Sequence, residues 1–160
     1  MTLILIKLAL AIAIGLLFRL VVTINDRLLY KSSRGKIIDE YMEIGYDVGF
    51  VALFDMAIVA FLSVWEEVAY RSWLLLLPTF LAWPAALFSS LVFSWRHFRQ
   101  FGRPLFFFVF GLALSASLLY LGWWKSAVMH LSFNLGGLGY AFWLVQKSRF
   151  SVSGPRNGRR

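Results

Sequence analysis

The chain has 160 residues, 60% of them hydrophobic and only 15% charged, with a mean hydropathy of +0.72; a soluble domain carries about a quarter charged residues, so a water-soluble globule is excluded. It has no cysteine, which excludes disulfides, thiolate metal sites and a cysteine nucleophile. The net charge of +8 gathers in short connections and the tail, where anionic lipid head groups meet it, so the partner it predicts is the bilayer and not nucleic acid.

The first apolar run, Thr2–Ile24, is interrupted by Lys7 and Arg19. No charged region precedes it and no small-residue cleavage site follows, so it reads as a retained helix and not a signal peptide. Residues 25–47 form the long polar segment, with Ser32, Ser33 and Gly35 marking a turn and 37–46 fit for a short interfacial helix. Residues 49–77 make a second helix, apolar except for Asp55 and the group Glu66, Glu67 and Arg71. Pro78 and Pro84 bracket a turn before a third helix over 85–97. Pro104 is placed to start a fourth, over 105–121, and Trp123 and Trp124 anchor the interface ahead of a fifth over 125–145. The basic tail, 146–160, is predicted to be disordered. The expected fold is all-α, a polytopic bundle of about five transmembrane helices: 1–47 as first helix and loop, 48–146 as catalytic core, 147–160 as tail.

About twelve Lys and Arg lie on the side of the first loop, the third loop and the tail, and about two on the other. Positive residues stay inside, which predicts a cytoplasmic C-terminus and an N-terminus outside.

Charge in hydrocarbon costs several kcal/mol per group and needs a partner or a task. Glu67 and Arg71 are four apart, face each other and neutralise one another. Glu66 is about 100° round the helix from Glu67 and has no local partner, which suits a general base or acid; the bland reading is a packing ion pair. His97 shares a face with Phe93, and His130 with Asn134. Two donors aimed one way stabilise a developing oxyanion, although a lone histidine is more often a packing residue. An ion pair is the expected account of Arg19 and Asp55, while Lys7 and Lys125 reach for the interface.

Glu66-Glu67-Val-Ala-Tyr-Arg71, Phe93-Ser-Trp-Arg-His97 and His130-Leu-Ser-Phe-Asn134 resemble the EExxxR, FxxxH and HxxxN motifs of the CAAX-processing and bacteriocin-processing intramembrane proteases, also called the Abi family. Ser89-Ser90 ahead of Phe93 looks like the family's approach to its first histidine, and Ser72 departs from the usual glycine. The resemblance implies a glutamate-type endopeptidase acting on a membrane-anchored protein or peptide in a prokaryotic plasma membrane. Glu66 would activate the attacking water and His97 hold it, Glu67 and Arg71 would order the site, and His130 and Asn134 would form the oxyanion hole. It implies substrates of prenylated, bacteriocin or sorting-tag type and no cofactor. Glu66, His97 and His130 also form a plausible zinc set, but no HExxH is present, so the metal-free version is preferred. A non-enzymatic immunity or scaffold protein is the alternative from another class. A proton-relaying transporter is a third, disfavoured because no paired repeats are seen.

Overall fold

The computed structural model describes residues 2–29, 48–101 and 104–152, all but a few of them helical. Five helices follow in order: α1, Thr2–Leu29; α2, Val48–Tyr70; α3, Thr79–Phe101; α4, Pro104–Leu121; and α5, Trp123–Val152. The all-α bundle stands, and the chain is an integral membrane protein. Hydrocarbon offers no partner for a peptide group, so apolar runs of this length satisfy their backbones internally, as helices. Thr2–Ile24 and Pro104–Leu121 are each long and apolar enough to cross a bilayer by themselves. The outer surface is greasy in the way a bilayer requires, with Leu76 85% and Phe80 77% exposed.

α5 is the hub: α1, α2 and α4 pack along it, and α3 packs on α4. Gly15 of α1 lies so close to α5 that a Cβ there would stand 2.3 Å from the Met129 carbonyl oxygen. Between the helices lies an aromatic core. Phe93, Phe107, Phe110 and Phe133 are buried with Met129 and Leu114, and Phe110 and Phe133 meet at 4.4 Å between ring centroids. A smaller cluster of Leu74, Ala86 and Leu118 closes the end near Trp123. The α4–α5 turn is a single residue, Gly122, at φ +97, where a side chain would be strained. Its N–H reaches the Ser117 and Leu118 carbonyls, both at 3.1 Å, closing the end of α4.

Several boundaries differ from the sequence reading. The second helix does not run through 49–77: it stops at Tyr70, and a 3₁₀ segment, Ser72–Leu76, continues the path. The backbone groups freed by the break are met by side chains. Ser72 Oγ donates to the Val68 carbonyl at 2.6 Å, and Ser89 Oγ and Trp73 Nε1 both donate to the Tyr70 carbonyl. Broken helix at membrane depth is tolerated when protein groups satisfy it in this way. Pro84 lies inside α3, which begins directly after Pro78; only one backbone donor near the helix start is lost. α1 continues to Leu29, and α5 continues to Val152, so the first residues of the tail are helical. The expected turn and interfacial helix within 30–47, and the tail from 153 onward, lie outside the described residues.

Candidate active site

The last turn of α2 carries Glu66 and Glu67, and Arg71 sits at its break. α3 brings His97, four residues before its last. α5 brings His130 and Asn134, one turn apart. Five of the six residues singled out from the sequence are joined by the contacts described next, and Asn134 is tied to α2 at Ser63.

Glu67 is its sealed half. The Glu67 and Arg71 side chains are both 0% exposed, with Arg71 Nη1 2.6 Å from Glu67 Oε1. The guanidinium also lies over the Phe93 ring, 4.4 Å from its centroid. His130 Nδ1 stands 3.0 Å from the same Oε1, and Ser126 Oγ is 2.6 Å from Oε2. Ser126 Oγ is also 2.9 Å from the Leu114 carbonyl; its single proton goes to one of the two acceptors. A carboxylate buried with this many donors is held as an ion by its surroundings.

Glu66 is the open half, 15% exposed. Its Oε2 is 3.4 Å from His130 Nε2 and 3.8 Å from His97 Nε2. The remaining ring nitrogens decide what these faces present. His97 Nδ1 is 2.8 Å from the Phe93 carbonyl, which only accepts, so Nδ1 carries a proton. His130 Nδ1 meets a carboxylate oxygen already bound by Arg71, so it too carries a proton. In the neutral imidazoles both Nε2 atoms therefore turn lone pairs toward Glu66. Three acceptors from three helices face one point. A water molecule has two protons to give, so it satisfies two of these acceptors and accepts from the third once that one is protonated. Among the described residues no group of three His, Cys, Asp or Glu side chains has the spacing of a metal site.

The walls are aromatic. His97 stacks on Phe107 at 4.7 Å between centroids and lies 4.1 Å from Phe93. His130 meets the edges of Phe93 and Phe110. These contacts fix both imidazole planes and keep the surroundings apolar.

Asn134 is held to α2 by a residue the sequence reading passed over. Ser63 Oγ donates to the Val59 carbonyl at 2.7 Å and accepts from Asn134 Nδ2 at 2.9 Å. Because the Ser63 proton is committed, the Asn134 amide nitrogen must face it. Ser126 was passed over in the same way. Both serines lie four residues before a site residue, Ser63 before Glu67 and Ser126 before His130. That spacing, one helical turn from a site residue, is the signal the sequence held for them.

Arg19 and Asp55 stand apart from the cluster, and no ion pair joins them among the described residues. α1 lies along α5, and the Arg19 guanidinium is set against Gly137 and 5.7 Å from the Phe133 ring.

A family model described as type II CAAX prenyl endopeptidase Rce1-like matches residues 48–136, more than half of the chain and the whole of the span from Glu66 to Asn134. No curated protein and no solved structure matches.

Proposed function

From the premise that the chain belongs to the Rce1-like family of type II CAAX prenyl endopeptidases, and so is a membrane-embedded protease, we propose that it hydrolyses a peptide bond of a membrane-anchored protein or peptide with a water activated by Glu66. The observation that carries this reading is the convergence of Glu66 Oε2, His97 Nε2 and His130 Nε2, with Glu67 sealed behind them.

In this reading the water gives a proton to the Glu66 carboxylate while His97 Nε2 holds its second hydrogen. The oxygen adds to the substrate carbonyl carbon, and the carbonyl oxygen takes the negative charge. His130 and the free N–H of the Asn134 amide donate to that oxyanion. His130 already gives Nδ1–H to Glu67, so to donate from Nε2 as well it enters the cycle as an imidazolium, protonated from solvent beforehand and unchanged at the end, with its charge balanced by the Glu67 carboxylate. Glu66 then returns its proton to the amide nitrogen as the C–N bond breaks. No metal enters the scheme. We further propose a prokaryotic plasma membrane, with the C-terminus in the cytoplasm, on the asymmetry of Lys and Arg.

The test compares protein termini by mass spectrometry in host cells carrying the wild type or Glu66→Gln at matched expression. New termini present with wild type and missing with the variant support the protease reading and identify the substrate. Identical termini, with any host phenotype retained by the variant, support an immunity or scaffold protein instead.

A further inference from the structure

One cation near the site has no part in the scheme above. Arg96 precedes His97 and is exposed. Its Nη1 donates to the Tyr70 hydroxyl at 2.8 Å, and its guanidinium lies 5.8 Å from the centre of the Tyr70 ring. Tyr70 is four residues after Glu66, on the same face of α2. It is firmly set, with its ring edge-on to Phe93 at 5.9 Å and its carbonyl held by Ser89 and Trp73. The guanidinium is therefore held at a residue whose Cβ lies about 5–6 Å from that of Glu66 by helix spacing.

An arginine that only anchors a helix sends its head group out toward the lipid phosphates. Arg96 is instead drawn back along the α2–α3 seam, to the side where Glu66 stands. Among the described residues no carboxylate forms an ion pair with it. A guanidinium has five N–H donors, and Tyr70 takes one. The Tyr70 hydroxyl accepts from Arg96, so its own proton remains free to be donated. Guanidinium and phenol together make a two-point receptor for a planar anion, the geometry in which arginine binds carboxylates best.

Resting on the protease reading, we propose that Arg96 and Tyr70 bind the free C-terminal carboxylate of the substrate. In a C-terminal C-a-a-X sequence the carboxylate belongs to the third residue beyond the cysteine. Three extended residues span about 10 Å, enough to run from the bond attacked beside Glu66 to a guanidinium held one helical turn away at Tyr70. The site thereby reads how far the peptide bond lies from the end of the chain. It also offsets the repulsion between Glu66 and an incoming anion.

The test uses full-length Glu66→Gln protein in lipid nanodiscs and two labelled S-farnesylated C-a-a-X peptides, one ending in a free acid and one in a carboxamide. A charge-assisted contact sets the expected preference at about tenfold or more for the acid. Adding Arg96→Gln should remove the preference and leave amide binding unchanged. Arg96→Lys should keep part of it, and Tyr70→Phe should reduce it without altering the charge. Equal binding of the two peptides before Arg96 is changed overturns the proposal. Equal weakening of both by Arg96→Gln overturns it too, and marks Arg96 as a head-group anchor. Cleavage by the wild type is read separately. Retained discrimination without cleavage removes the protease reading and leaves the anion site, whereas cleavage without discrimination does the reverse.

Discussion

Glu66 and Glu67 are neighbours in the chain, yet they occupy opposite environments. Glu67 is fully enclosed, with Arg71, His130 and Ser126 around its two oxygens. Glu66 is partly open and faces two imidazole nitrogens that, when neutral, have no proton to give it. A rotation of about 100° per residue on a helix sends one carboxylate into the protein interior and turns the other toward His97 and His130. Identical chemistry thus yields one group that is enclosed by partners and one that, in the proposed function, is left for the reaction.

The largest expected effect that breaks the comparison is on activity. Glu66→Gln should lower turnover by about 10²–10⁴-fold, the range of general-base catalysis, with the thermal unfolding midpoint of the purified protein nearly unchanged. Glu67→Gln should act on both properties. It leaves the buried Arg71 charge without its counterion, a loss of about 3–5 kcal/mol, read as a lower midpoint in the same detergent. Joint replacement of Glu67 by Gln and Arg71 by Met should restore much of that stability and none of the activity.

Smaller effects sharpen the comparison within the enclosed half. Ser126→Ala removes one hydroxyl from the Glu67 carboxylate and should lower turnover by roughly tenfold, the size of one buried hydrogen bond to a charged group. Ser63→Ala frees the Asn134 amide to rotate and should cost a few-fold in turnover with KM little changed; Ser63→Thr, which keeps the hydroxyl, should recover it. The smallest effect expected is that of chelation. Incubation with EDTA or phenanthroline followed by desalting should leave turnover where it was; loss restored by added zinc would replace the water scheme with a metal-assisted one.

The three motifs and their helices were legible because apolar runs and four-residue spacing are local properties. The break in α2 was not. Residues 73–77 are apolar enough to continue a helix, and what ends it is tertiary, with Ser89 on α3 taking up the Tyr70 carbonyl. The roles of Ser63 and Ser126 were hidden for a related reason. Serine in an apolar helix ordinarily bonds its own preceding turn, and Ser63 does so while also receiving Asn134. The Arg19–Asp55 pair was expected because each charge in hydrocarbon needs a partner, but the sequence does not say which helices are neighbours, and α1 lies on α5. α5 outran its apolar stretch because a helix leaving the bilayer has no need to stop there.

The most direct measurement takes purified wild type and Glu66→Gln side by side, with cleavage of one membrane-anchored substrate and the unfolding midpoint read on the same samples. The division of labour between the two glutamates predicts cleavage lost and the midpoint unchanged. Cleavage retained by a folded Glu66→Gln protein would contradict it.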